Sequence, residues 1–214
     1  MNHTNPVDHT DERLLERLGQ GDHAAFEALF LRYYQRVYRV LVHLVGCREQ
    51  AEDLAQETFL ALYHQPPRPD TGSRLAAWLC RVALNRGYNA LRRERRARQR
   101  MERMERMEQP AQLPSAEEPA SEVVRAEERA MVRATLAHLP ERQSAILLLR
   151  SAGCSYAEIA TALHIKPGSV GTLLARAERA FLAIYQQQTG GVSLEEERKV
   201  NVHDTESVRS TSSR

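Results

Sequence analysis

LPERQSAILLLRSAGCSYAEIATALHIKPGSVGTLLARAERAF, residues 139–181, reads as three short helices around a tight turn. Ser155 and Glu158 stand at the Ser-x-x-Glu spacing of a capping box, which satisfies two otherwise unpaired amide donors at a helix start. The helix they open carries Tyr156, Ile159, Ala160 and Leu163 as its apolar positions. His164–Gly168 breaks it, and Pro167 suits the first turn of a following helix because its missing N–H costs nothing there. In that last helix Val170, Leu174, Ala177, Phe181 and Ile184 recur at helical spacing. With about 100° per residue, Ser169, Thr172, Arg176 and Arg179 point the other way. One face packs on a partner helix and the other is free for phosphates and base edges, the division that a helix–turn–helix unit needs. Lys166 in the turn joins that free face. Arg150, at the end of the preceding helix, reads as support for a phosphate or an acidic neighbour.

The whole chain permits a DNA-binding function without announcing it. Its 214 residues fit one domain or two small ones, and the formal net charge is only +2. The charge is segregated: Leu91–Arg106 holds eight Arg against three Glu, and Met107–Glu122 holds four Glu with no Lys or Arg. Cys47, Cys80 and Cys154 are widely spaced with no C-x-x-C pair, which argues against a disulfide framework and a zinc site. The eight His show no metal-ligand spacing, so no metal and no cofactor is expected. No apolar run reaches 18 residues and the N-terminus MNHTNPVDHTDER is no signal peptide. A cytoplasmic protein without membrane insertion is expected.

Outward from the quoted stretch the pattern stays helical, and the fold class is all-α. Asp11–Gly46 reads as two helices joined at Gly19–Asp22, and Ala51–His64 as a third. In the third, Leu54, Thr58 and Leu62 share one side while Asp53, Gln56 and Glu57 lie largely on another. After a breaker-rich loop at Gln65–Gly72, a fourth helix begins near Ser73 and runs through Trp78 into the arginine block. Trp78 reads as a core residue rather than a base-stacking platform. Pro110, Pro114 and Pro119 break continuous helix. The expected organisation is a helical bundle over 10–98, a flexible linker over 99–121, a helix–turn–helix domain over 122–187 and a disordered polar tail over 188–214.

AEDLAQETFLALYH (Ala51–His64), then AAWLCRVALNRGYNALRRERR (Ala76–Arg96), a linker and the helix–turn–helix resemble the extracytoplasmic-function class of bacterial sigma-70-family sigma factors. The resemblance covers Asp11 to about Tyr185. It implies a sigma-2-like and a sigma-4-like domain, and binding to RNA polymerase core. It further implies −10 and −35 promoter recognition, opening of the duplex and no enzymatic activity. Asp53, Leu54, Gln56, Glu57 and Phe59 match the family's polymerase-docking helix, where polar groups pair with a partner helix while Leu54 and Phe59 pack. Arg74, Arg81, Asn85, Arg86, Asn89, Arg92 and Arg93 fall in the part that reads the −10 element. Arginines there neutralise phosphates, and the two Asn offer paired donors and acceptors to base edges. The loop Gln65–Gly72 sits where the family captures an extruded base, and the acidic linker where the family threads toward the RNA exit path. Lys166, Ser169, Thr172, Arg176 and Arg179 become the −35 set. Leu75 replaces a usual aromatic and Asn89 a usual Asp, and Gly171 and Leu173 stand where basic residues are common. These departures leave the promoter sequence open. Restraint by an anti-sigma factor, or by the chain's own tail, is also expected.

Two other classes compete with this reading. A polymerase-independent helix–turn–helix regulator leaves the Asp53–Phe59 helix unexplained. A DNA-acting enzyme needs a nucleophile or clustered carboxylates, yet no His or third acid joins Asp53 and Glu57, and no phosphate-binding G-x-x-x-x-G-K-[ST] loop exists. No catalytic residue is therefore assigned.

Overall fold

A computed structural model describes residues 10–67, 75–105 and 120–207, and no strand occurs among them. Helix α1 (Asp11–Gly19) buries Leu14, Leu15 and Leu18. Gly21, at φ 85, turns the chain into Asp22, whose carboxylate caps α2 (His23–Val45) by accepting the Ala24 N–H at 2.9 Å. The hydrogen bond from Arg17 holds that carboxyl below its usual range. Helix α2 ends at Gly46, whose N–H donates to the Val42 carbonyl. Its aromatic stripe, Phe26, Phe30 and Tyr34 at four-residue spacing, meets Phe59 and Tyr63 of α3 (Arg48–His64), with Phe30 and Phe59 centroids 4.8 Å apart. Helix α4 (Leu75–Glu105) closes this first unit; at Gly87 a Cβ would press onto Leu44, so the missing side chain lets α2 and α4 approach.

The second unit comprises α5 (Ala120–His138), α6 (Glu141–Ser151), α7 (Tyr156–Ala162) and α8 (Val170–Ser207), the last entered through a 3-10 turn at Pro167–Ser169. The expected capping box is present: Ser155 Oγ accepts the Glu158 N–H at 3.3 Å and Glu158 accepts the Ser155 N–H at 2.6 Å. His164, at φ 52, adopts the left-handed conformation that ends α7, a region that His tolerates better than branched residues. Ile159, Ala160, Val170, Leu174 and Ala177 are buried between α7 and α8. Tyr156, expected in that apolar set, is 45% exposed instead. Its ring receives the Arg150 guanidinium at 5.6 Å, so Arg150's neighbour is aromatic rather than an acid.

Several boundaries differ from those expected. Helix α3 starts at Arg48, and the expected start of α4 at Ser73 lies outside the described residues. Helix α4 continues past 98 to Glu105, because Arg, Glu, Gln and Met all favour helix and Arg98 pairs with Glu94 one turn back. The three prolines and the rest of the linker, 106–119, lie outside the described residues. Helix α8 runs on to Ser207, beyond residue 188 where disorder is expected. Gln188 itself packs: its Oε1 accepts the buried Thr135 hydroxyl of α5 at 2.8 Å. Farther on, Glu195, Glu196, Glu197, Arg198 and Lys199 are residues with good helix propensity.

The two units are not held apart. One cluster of buried apolar residues takes in both. Polar contacts rim it: Arg36 pairs with Glu158 at 2.8 Å, Arg92 with Glu141 at 2.6 Å, and Arg81 donates to His164 Nε2 at 2.6 Å.

Candidate nucleic-acid and protein-docking interface

Three surfaces carry the expected site residues. On α3, Asp53, Gln56 and Glu57 face solvent. Leu54, 9% exposed, and Phe59, 1% exposed, do not join them. They were expected to pack on a partner, but at helical spacing they fall on the far side, in the molecule's own core beside Phe30 and Tyr34. The apolar member of the exposed stripe is Leu60, 52% exposed. Leu60 was missed, although its position seven residues after Asp53 puts both on one face. Glu57 also pairs with Arg86 of α4, which makes Arg86 a brace between the two helices.

On α4, Arg81, Asn85, Asn89 and Arg92 lie within about 80° of one another around the helix. Asn85, Asn89, Arg92 and Arg93 are exposed and Arg81 is half-buried. Arg86 points elsewhere, toward α3, and Arg74 lies outside the described residues. The stripe faces the second unit. Besides Arg81 and Arg92, already paired across it, Tyr88 sits with its hydroxyl 2.8 Å from Ser144 Oγ and donates to the Glu141 carbonyl. Burial pushes the Tyr88 phenol up to about 12, so it stays a neutral hydrogen-bonding group. Trp78 is half-buried rather than fully in the core, and forms one wall of a cleft with Pro67, Arg81, His164 and Pro167.

On the helix–turn–helix, Lys166, Thr172, Arg176 and Arg179 are exposed and Ser169 is half-buried. A depression of about 500 Å³ is lined by Lys166, Ser169, Thr172 and His164 together with Arg142 of α6. Arg142 also lines a neighbouring hollow with Arg176. Sequence reasoning missed Arg142, since nothing on α6 marks it; its place depends on how the turn after α7 folds back. At Gly171 a Cβ would meet the Tyr156 ring at an ordinary contact distance of 3.7 Å, so packing leaves room for a side chain there. These surfaces suit binding, with arginine forks for phosphates and amides for base edges. Among the described residues no group of His, Cys, Asp or Glu could hold a metal ion, and no helix is long and apolar enough to cross a membrane.

The chain matches the family description Sigma-70 region 2 over residues 29–97 and Sigma-70, region 4 over residues 129–181. It is 33% identical over 176 residues to RNA polymerase sigma-H factor of Pseudomonas aeruginosa, covering 80% of this chain and 91% of that protein. It is 31% identical over 173 residues to the ECF RNA polymerase sigma-E factor of Haemophilus influenzae, covering 78% of this chain and 91% of that one. The fold is similar to that of CnrH, solved in complex with the cytosolic domain of CnrY, with a TM-score of 0.61 at 22% identity over 83% of this chain and 98% of that chain. Helix–turn–helix, bundle and order of elements thus agree with family and relatives, and the chain belongs to the extracytoplasmic-function class of the sigma-70 family.

Proposed function

We propose that the chain acts as an RNA polymerase sigma factor, bringing core polymerase to specific promoters and starting transcription by −10 and −35 recognition and duplex opening. The observation that carries this reading is the presence of both sigma-70 regions in one chain that spans 91% of sigma-H factor. Residues 10–98 are assigned to core binding and the −10 element, 122–187 to the −35 element. Asp53, Gln56 and Glu57, with Leu60, are the docking stripe for the polymerase. Arg81, Asn85, Asn89, Arg92 and Arg93 meet the −10 strand; Arg74, outside the described residues, is assigned to the same element by sequence. Lys166, Ser169, Thr172, Arg176 and Arg179, joined by Arg142, meet the −35 duplex. The chain works in the cytoplasm as a binding protein, not as an enzyme. A protein partner of the anti-sigma kind restrains it; CnrH, a neighbour in fold, is in complex with the cytosolic domain of CnrY.

The −10 and −35 elements are separated by about 25 base pairs, roughly 85 Å of duplex at 3.4 Å each. A compact domain of this length has a radius of gyration of about 17 Å. The two DNA faces therefore reach both elements only when the units separate, and the packed arrangement is a resting form. Tagged chain should co-purify with core polymerase subunits and convert core to promoter-dependent transcription. Promoter binding without core association would instead identify a polymerase-independent regulator.

A further inference from the structure

Cys80 and Cys154 lie 74 positions apart in sequence, one on α4 and the other in the turn between α6 and α7. The packing of the two units brings their sulfurs to 3.4 Å. Both are buried, at 1% and 0% exposure, and both are free thiols. Neither belongs to the docking stripe or to a DNA face, so the proposed function leaves them without a role. The Arg36–Glu158 pair, which also joins the units, lies close enough to bear on both thiols.

We propose that Cys80 and Cys154 form a reversible disulfide that fastens the two helical units together and holds the chain in its resting form; the effect on transcription rests on the sigma-factor reading. A disulfide needs sulfurs about 2.05 Å apart, so the pair must close by little more than an ångström, within reach of side-chain rotation. The two sulfurs share one S–H hydrogen bond in which either can donate, so the pair is chemically symmetric at this contact. Whichever thiol is deprotonated first is the nucleophile.

With a hydroperoxide as oxidant, one thiolate of the pair attacks the O–O bond. One oxygen joins sulfur as a sulfenic acid and the other leaves, protonated, as water or alcohol. The other thiol then attacks the sulfenic sulfur: the S–S bond forms, the S–O bond breaks, and the departing hydroxide takes that thiol's proton to leave as water. The two sulfurs lose two electrons and the peroxide gains them. A small dithiol reverses the bond by exchange. Because both sulfurs are buried when the units are packed, oxidant reaches a thiol during separation and the bond closes when the units meet again. Free chain is captured this way, and the resting form becomes covalent.

The test uses full-length chain carrying Cys47→Ser, which removes the exposed third thiol. Hydrogen peroxide followed by peptide mass analysis should show one intramolecular link between the Cys80 and Cys154 peptides. Dithiothreitol should reverse it, and adding Cys80→Ser or Cys154→Ser should abolish it. Promoter-dependent transcription with core polymerase should fall at least tenfold on oxidation, recover on reduction, and resist peroxide in the Cys80→Ser chain. Failure of the link to form, or a complete link with undiminished transcription, overturns the proposal. Reduced chain that never supports transcription counts against the sigma-factor reading instead. In that case the link, its reversal and the resistance of the linked chain to unit separation by urea, read by small-angle scattering, still decide whether the lock exists.

Discussion

At Gly46 the backbone of α2 takes φ 79, and Arg133 of α5 fills the space where a Cβ would stand. An L-residue in this conformation costs about 1–2 kcal/mol, and the displaced Arg133 adds to it. Gly46→Ala is therefore expected to lower the thermal midpoint, measured by circular dichroism, with the helical spectrum of the folded state unchanged. Three residues earlier, burial and the neighbouring Arg39 hold the His43 imidazole below its usual value. The unfolded chain takes up that proton near pH 6.5, at about the ordinary value, before the folded chain does. In that window the unfolded state binds more protons, so stability is full above it and falls as pH drops. Urea unfolding at about pH 7.5 and about pH 5.5 should show the loss, and His43→Gln should reduce it. Asp53 is the cleanest residue for testing the docking stripe, because Glu57 is also tied to Arg86. Asp53→Arg should weaken core polymerase binding by about 2–5 kcal/mol if the charge pairs across the interface are desolvated. An unchanged dissociation constant would refute that stripe.

Among the elements, α7 is the shortest α-helix described, and its capping box does most to define where it starts. Ser155→Ala should cost about 0.5–2 kcal/mol and loosen the turn that sets Lys166 against Thr172. The check is a paired measurement of thermal midpoint and of upstream-footprint affinity, both of which should fall. The box, the turn after α7 and the apolar stripe of α8 were legible because each depends on residues a few positions apart. Leu54 and Phe59 were read as partner contacts because spacing alone says which residues share a face, not which face is covered. Only the aromatic stripe of α2, seated on α3, decides that. Arg142 and the half-exposure of Trp78 were illegible for the same reason: both depend on elements distant in sequence. The run of α4 past 98 was missed although Gln99–Glu105 holds no helix breaker; the linker was read from the prolines farther on.

For the whole molecule, the question is what keeps the units packed. The Arg92–Glu141 pair is half exposed on both sides, and exposed ion pairs are worth about 0–1 kcal/mol. The shared apolar cluster therefore dominates. Raising salt from about 0.1 M to about 1 M shortens the screening length to roughly 3 Å, yet the radius of gyration from small-angle scattering should not increase. Expansion with salt would show that the rim of ion pairs holds the units together. The unbroken helix α4 has a different consequence. Its 31 residues extend about 46 Å at 1.5 Å each, and beyond the residues proposed for the −10 element it carries four exposed arginines, Arg95, Arg96, Arg98 and Arg100. A charged rod enlarges the target that a diffusing polyanion can strike, so it governs how often encounters occur rather than which sequence is kept. Captured loosely by that rod, a duplex can be scanned by short hops before any base is read. With the −10 assignment proposed above, recruitment speed and promoter choice then rest on different stretches of one helix.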